Sequence, residues 1–133
     1  MPAQLRQLIS EAGIRSIVRR LSAEIRADNP SSEAVIIGVM KGAFVFMADL
    51  ARELGPEFEV GFIQAASYGD RETPSEEVRI TSDISVEIEG RDVIVVEGII
   101  DRGNTARAVV RHLEKKGPSS IRLCTLLLRN GHS

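Results

Sequence analysis

Two short apolar runs, AVIIGVM at residues 34–40 and DVIVVEGII at residues 92–100, constrain the fold more than any other feature of the sequence. Both are rich in β-branched residues and neither alternates regularly between apolar and polar positions, so each is typical of a strand covered on both faces. Such a strand requires helices above and below its sheet. The two runs therefore predict an α/β fold, a mainly parallel twisted sheet flanked by helices.

Three amphipathic segments separate the predicted strands. In each of them apolar residues recur at three- and four-residue spacing, and a helix-stopping pair ends it: Asn29-Pro30, Gly55-Pro56 or Gly117-Pro118. The predicted helices are 10–28, 43–54 and 104–116, and further strands are predicted at 58–67, in the alternating stretch 78–88 and at 120–128. The polar residues 69–77 are predicted to form a loop.

A chain of 133 residues favours one domain, predicted here over residues 1–133. Its 17 basic and 19 acidic residues are interspersed and give a net charge of -2, so no charge pattern points to nucleic acid or to an anionic membrane surface. No segment has the roughly 18 consecutive apolar residues of a membrane helix. The single cysteine, Cys124, excludes an internal disulfide. We expect a soluble cytoplasmic protein in which Cys124 is a buried core residue, a free reactive thiol being the alternative.

Ligands of an open parallel sheet bind beyond the carboxyl ends of its strands, where loops lead into helices. Two strand-to-helix junctions fit that position: MKGA at 40–43 and EGIIDRGNT at 97–105. The second junction combines a glycine, free amide groups at the start of a helix and a threonine hydroxyl, which together are typical of a phosphate-binding turn. The alternative is that Asn104 or Thr105 only caps the helix.

Two carboxylates stand in the same junction. Glu97 follows four apolar strand residues and Asp101 follows two more, so both acids are expected where burial makes an unpaired charge expensive. Acids in such a place indicate a partner or a function. The alternative is an ion pair with a nearby arginine, Arg102 or Arg107.

The segment VIVVEGIIDRGNTARAVVRHL, residues 93–113, resembles the phosphoribosyl-pyrophosphate motif of type I phosphoribosyltransferases: a β-branched strand, two adjacent acids, two apolar residues, Asp-Thr or Asp-Ser, then Gly-x-Thr. VMKGAFVFMADLAREL, residues 39–54, resembles the pyrophosphate-loop strand and helix of the hypoxanthine phosphoribosyltransferase branch. AASYGDRETPSEEVRI, residues 65–80, resembles that branch's Ser-Tyr-Gly flexible loop. The segments follow the family's order and spacing, so the resemblance covers nearly the whole chain.

The resemblance implies an enzyme of purine salvage that transfers the ribose 5-phosphate unit of phosphoribosyl pyrophosphate to hypoxanthine or guanine, with magnesium as cofactor and pyrophosphate as the leaving group. Matched residue by residue, the resemblance implies that the 5′-phosphate is bound by Arg102, Gly103, Asn104 and Thr105. It implies that Glu97 binds the ribose hydroxyls directly or through magnesium and that Asp101 faces purine N7 as general acid or base. It further implies that the pyrophosphate is bound by Lys41 and Gly42 and that the loop which closes over the reacting centre carries Ser67 and Tyr68. Considered alone, Lys41 would be a surface lysine and Tyr68 an ordinary loop tyrosine.

Three features depart from the family's pattern. Gly98 stands where the family has its second acid, and losing that acceptor of a ribose hydroxyl costs roughly 1.5 to 3 kcal/mol, about tenfold to a hundredfold in ribose binding. Arg102 replaces a small hydroxyl residue. The sequence ends in LLLRNGHS, directly after the fifth core strand, where family members continue with a purine-reading lysine, a stacking aromatic residue, a further acid and the last strands.

These departures predict a C-terminally shortened phosphoribosyltransferase that lacks the last strands and most of the hood and is impaired in activity. The alternative is a non-catalytic regulator or remnant that binds phosphoribosyl pyrophosphate or nucleotide. An unpaired apolar sheet edge at 121–128 is expected to favour self-association, so a homo-oligomer is predicted.

Overall fold

The computed structural model describes residues 11–30, 33–68, 77–100 and 103–128, and the backbone alone at positions 68, 100, 127 and 128. Within these ranges the chain forms, in order, α1 (Glu11–Asp28), β1 (Val35–Met40), α2 (Phe44–Leu54), β2 (Glu59–Tyr68), β3 (Glu77–Ser82), β4 (Asp92–Ile100), α3 (Asn104–Glu114) and β5 (Ser120–Leu128). None of these helices is long and apolar enough to cross a membrane.

The five strands form one sheet in the order β3-β2-β1-β4-β5, with β1 at the centre. β1 runs parallel to β2 and to β4, and β4 runs parallel to β5, whereas β3 pairs antiparallel with β2. The pairs Val35 with Val93 and Gly38 with Val96 align β1 and β4. The predicted α/β fold with a mainly parallel sheet is confirmed.

The sheet is buried on both faces: α1 and α2 cover one face, and α3 covers the other. β1 and β4 send alternate residues to opposite faces, which is why both strands are apolar at nearly every position. The cluster beneath α1 and α2 includes Val18, Ile25, Ile36, Phe46, Met47, Leu50, Ile94, Val96 and Cys124, and the cluster beneath α3 includes Val35, Ile37, Val39, Ile63, Ile88, Val93, Val95, Val109 and Leu113.

Cys124 lies in the first of these clusters on β5 and is 7% exposed, so its prediction as a buried core cysteine is confirmed. Burial, with a smaller contribution from the negative charge of Glu24, raises the pKa of the Cys124 thiol to about 11. Because the thiolate is the reactive form, Cys124 is a poor nucleophile near neutral pH.

The alternating stretch 78–88 is only partly a strand, because β3 ends at Ser82. Asp83 turns the chain there: its carboxylate accepts a hydrogen bond from the Ile84 amide at 2.7 Å and contacts His112 and Lys116 of the α3 region at 2.9 and 3.0 Å. Beyond this turn the apolar residues at 84, 86 and 88 still pack into the cluster beneath α3. Packing against the core, without strand pairing, therefore accounts for the second half of the alternation.

Arg91 fastens the amino ends of three strands together. Its Nε and Nη2 atoms donate to the Glu33 carbonyl at 3.2 and 3.0 Å, just before β1, and its Nη1 atom contacts the Glu59 carboxylate at 2.5 Å, at the start of β2. Arg91 itself directly precedes β4. The amino ends of these three strands, which lie opposite the predicted site, are thus held together by the guanidinium of Arg91.

Candidate functional site

The two predicted junctions are neighbours in the structure. β1 and β4 lie side by side and parallel, so their carboxyl ends reach the same edge of the sheet. The loop from β1 to α2 (residues 41–43) and the turn from β4 to α3 therefore line one end of the molecule. This edge is where open parallel sheets bind their ligands.

The β1–α2 loop is short and tightly held. The Ala43 amide donates to the Val39 carbonyl at 3.2 Å, the Phe44 amide donates to the Lys41 carbonyl at 3.1 Å, and the Ala43 carbonyl accepts from the Met47 amide at 2.7 Å. The peptide bond between Met40 and Lys41 is cis. Lys41 and Gly42 are exposed while Ala43 is buried, so the loop presents its first two residues to solvent at the strand end.

Glu97 is half-buried near the carboxyl end of β4, and this burial raises the pKa of its carboxyl group. Among the described residues no side chain forms a hydrogen bond or ion pair with that carboxylate. The alternative ion pair between Glu97 and Arg107 is not formed; the Arg107 Nη2 atom instead donates to Asn104 Oδ1 at 2.5 Å. The alternative pair with Arg102 lies outside the described residues. Glu97 is thus a carboxylate kept partly out of water, and no described side chain occupies its acceptor atoms.

The amides at the start of α3 are not capped by any side chain of the described residues. Gly103 is the N-cap residue, it has a left-handed φ of 82°, and within the described residues no side-chain hydrogen bond caps the helix. The capping role considered for Asn104 and Thr105 is therefore wrong. Glycine adopts this φ without strain, and the uncapped amides at a helix start, together with the helix dipole, favour an anion.

The remaining predicted site residues are placed only in part. Ser67 is exposed on β2, where it pairs with Val78 of β3, and the backbone of Tyr68 follows it. Asp101 and Arg102 lie outside the described residues, so the predictions for them stay predictions. The described residues bring together Lys41, Gly42, Glu97, Gly103, Asn104 and Thr105 at the ends of β1 and β4.

Gly98 and Thr125 also lie near the carboxyl ends of these strands, and the sequence did not identify either of them as a contact residue. Gly98 is buried against the backbone of Gly42 and Ala43, and its carbonyl accepts a hydrogen bond from the Thr125 hydroxyl of β5 at 3.3 Å. A glycine inside an otherwise β-branched strand is the sequence signal for such a close approach of two backbones.

A basic cavity of about 500 Å³ runs along α3 from this end of the molecule. Its lining comprises Val78 and Ile80 of β3 and Asn104, Arg107, Ala108, Arg111, His112 and Lys115 of the α3 region. Arg107, Arg111 and Lys115 recur at a spacing of four, so one helix face carries three positive charges. That spacing was the available sequence signal, and the charges add positive potential beside the turn at Gly103.

Within the described ranges, no group of three or more histidine, cysteine, aspartate or glutamate side chains could hold a metal ion. Glu97 is a single carboxylate. Mg²⁺ is commonly held by one or two carboxylates together with the phosphates of a substrate. The carboxylate of Glu97 therefore fits a magnesium ion that is held together with the phosphates of a ligand.

Comparison with known proteins identifies the family. The profile of the phosphoribosyl transferase domain matches residues 7–133. Hypoxanthine phosphoribosyltransferase of Salmonella typhimurium is 41% identical over 122 residues, which cover 90% of this chain and 68% of that protein.

Solved structures give the same result. A hypoxanthine-guanine phosphoribosyltransferase from Bacillus anthracis matches with a TM-score of 0.86 and 35% identity, covering 97% of this chain and 83% of that one. Hypoxanthine phosphoribosyltransferase from Trypanosoma cruzi, complexed with its product IMP, matches with a TM-score of 0.82 and 28% identity, covering 96% and 71%. The chain therefore belongs to the phosphoribosyltransferase family, in the branch of the hypoxanthine and hypoxanthine-guanine phosphoribosyltransferases of purine salvage.

Proposed function

We propose that this chain binds phosphoribosyl pyrophosphate and a purine base, hypoxanthine or guanine, and forms the nucleoside monophosphate and pyrophosphate. The bond from ribose C1 to the pyrophosphate oxygen breaks, a bond from C1 to a purine nitrogen forms, and the purine loses a proton. The observation that carries the proposal is that the exposed β1–α2 loop and the left-handed glycine at the start of α3 lie at the carboxyl ends of the neighbouring strands β1 and β4, with the half-buried carboxylate of Glu97 beside them.

The 5′-phosphate is proposed to bind at the start of α3. The left-handed turn at Gly103 and the uncapped amides of the first helical turn support this role, because such amides point toward an anion. Asn104 and Thr105 belong to the same turn, and Arg102 is proposed to add a positive charge there. The basic face of α3 increases the attraction for a phosphorylated ligand.

Glu97 is proposed to accept hydrogen bonds from the ribose hydroxyls, directly or through magnesium. Its partly dry position strengthens any such bond relative to one in water. A bound magnesium ion would neutralise charge on the pyrophosphate as it leaves. Lys41 and Gly42 are proposed to contact that pyrophosphate, since both are exposed on the β1–α2 loop and the lysine supplies a positive charge.

Asp101 is proposed to face purine N7 and exchange a proton with the base. Ser67 and Tyr68 are proposed to belong to the segment that closes over the reacting centre and keeps water from a carbocation-like transition state. The exposed position of Ser67 at the end of β2 is compatible with that role. Magnesium, phosphoribosyl pyrophosphate and the purine are thus the ligands that we propose for this edge of the sheet.

Turnover is proposed to be weaker than in a relative that has an acid at position 98. Gly98 cannot accept a hydrogen bond through a side chain, and Arg102 stands where the family has a small hydroxyl residue. Because Gly98 departs from the pattern of the active family members, it also favours a second candidate function: a regulator that binds phosphoribosyl pyrophosphate without transferring it.

A radiolabelled assay that converts hypoxanthine or guanine to nucleotide tests both candidates when combined with calorimetry. We expect magnesium-dependent binding of phosphoribosyl pyrophosphate and slow nucleotide formation that the Asp101→Asn variant loses. The Asp92→Asn variant is the matched control, because Asp92 lies at the amino end of β4. Binding without turnover would select the regulator, and absence of binding would contradict the proposed function.

A further inference from the structure

Gly98 lies where the end of β4 meets the β1–α2 loop, and there is no room between them for a side chain. A Cβ atom built on Gly98 would lie 2.8 Å from the Gly42 carbonyl oxygen, 3.6 Å from the Gly42 carbonyl carbon and 3.7 Å from the Ala43 Cα atom. All three atoms belong to the backbone, so no side-chain rotation relieves the contact. A side chain at position 98 therefore requires the loop or the strand to move.

Neither partner can move easily. On the loop side, Ala43 is 1% exposed and is tied by backbone hydrogen bonds to Val39 and Met47. On the strand side, β4 is paired with β1 and β5, and the Thr125 hydroxyl holds the Gly98 carbonyl. Gly98 thus joins two well-anchored parts of the candidate site.

We propose that Gly98 is a positioning residue: its missing side chain seats the β1–α2 loop on β4 and so sets the distance between Lys41-Gly42 and the turn at Gly103. The inference rests on the proposed function, in which these two places bind opposite ends of phosphoribosyl pyrophosphate. It also gives position 98 a second meaning. The glycine removes an acceptor for a ribose hydroxyl, and the loop occupies the space that an acid would need.

The two meanings predict opposite results for Gly98→Asp. If the glycine were only a lost carboxylate, the aspartate would strengthen phosphoribosyl pyrophosphate binding by about tenfold or more, and Gly98→Ala would change little. If Gly98 seats the loop, both variants displace the loop from the pyrophosphate and weaken binding of this ligand by about tenfold to a hundredfold, as expected when one charged contact is lost. Ribose 5-phosphate lacks the pyrophosphate that the β1–α2 loop is proposed to contact, so it should bind the Gly98→Ala variant within about twofold of the unchanged protein.

Amide hydrogen exchange supplies a readout that needs no ligand. We expect Gly98→Ala to accelerate exchange at the Ala43 and Met47 amides while the amides of β1 stay protected. Gly42→Ala is the matched control for this measurement: it adds the same methyl group where no atom lies within 4 Å, and its backbone is not left-handed. That control should leave the exchange of both amides unchanged.

If the Gly98 variants do not fold, the unchanged protein still decides the packing. A nuclear Overhauser effect between the Hα protons of Gly98 and Ala43 is expected, and its absence would overturn the inference. Tighter phosphoribosyl pyrophosphate binding by Gly98→Asp would overturn it as well. Failure of the unchanged protein to bind this ligand would instead overturn the proposed function. Hydrogen exchange at the Ala43 and Met47 amides of Gly98→Ala would then still decide whether Gly98 holds the β1–α2 loop in place.

Discussion

At the scale of single residues, the carboxylate of Glu97 shows how binding capacity is obtained at the expense of stability. Burial raises its pKa, so the folded protein holds that proton more tightly than the unfolded chain does. The charged form is therefore unfavourable in the folded state. The protonated carboxyl group of Glu97 favours the folded state relative to the charged form. This contribution to stability is fully present below the pKa of Glu97 in the unfolded chain and is lost as the pH rises through its pKa in the folded protein.

We expect Glu97→Gln to raise Tm near neutral pH and to have little effect at about pH 4. The same variant should bind phosphoribosyl pyrophosphate about tenfold to a hundredfold more weakly, because a charged acceptor is lost. Thermal unfolding at the two pH values and calorimetry check these outcomes. Glu114→Gln, an exposed carboxylate on α3, is the control. A lower Tm at neutral pH combined with unchanged affinity would contradict this account of Glu97.

At the scale of helices and strands, the carboxyl ends and the amino ends of the parallel strands have different roles. The loops that we propose to bind ligand leave the carboxyl ends of β1 and β4, while Arg91 ties the amino ends of β1, β2 and β4 together. Each strand is therefore anchored at the end remote from the chemistry. Changes at Arg91 should affect stability and leave the site intact.

Arg91→Met is expected to lower the free energy of unfolding by about 1 to 2 kcal/mol, since hydrogen bonds from a charged donor to the backbone are lost. Phosphoribosyl pyrophosphate affinity should stay within about twofold. Arg122→Met breaks an exposed pair with Asp28 and should cost under about 1 kcal/mol. Chemical denaturation of both variants provides the comparison, and equal losses would contradict the special role of Arg91.

The sequence predicted the helices and parallel strands closely, because double burial of β1 and β4 leaves a continuous apolar pattern. It overextended the strand at 78–88, since packing of Ile84, Val86 and Ile88 produces the same alternation as strand pairing. It did not reveal the contact between Gly98 and the β1–α2 loop, because the residues in contact are more than fifty positions apart. The capping alternative at Asn104 failed because a left-handed glycine already turned the chain into α3.

At the scale of the whole molecule, the described residues form one sheet with a core on each face, and the single domain over residues 1–133 stays a prediction. In this part of the chain, β5 is one edge of the sheet, and Leu123 on it is 46% exposed. The predicted homo-oligomer would use this edge. Edge strands with exposed apolar side chains pair readily with another chain.

We expect the protein to self-associate, and we expect Leu123→Lys to shift it toward monomer, because a charged edge residue opposes pairing. Sedimentation velocity over a range of concentrations checks both statements. Val45→Lys, which changes another exposed apolar residue at the start of α2, is the control and should leave association unchanged. A strictly monomeric unchanged protein at high concentration would contradict the prediction.

The most direct test of the central claim is an amide chemical-shift titration of the isotope-labelled protein with phosphoribosyl pyrophosphate and magnesium. The account predicts that the largest shifts occur together at Lys41 and Gly42 and at Gly103, Asn104 and Thr105, on the two loops at the carboxyl ends of β1 and β4. Shifts confined to other surfaces, or saturation that leaves both loops unchanged, would contradict it.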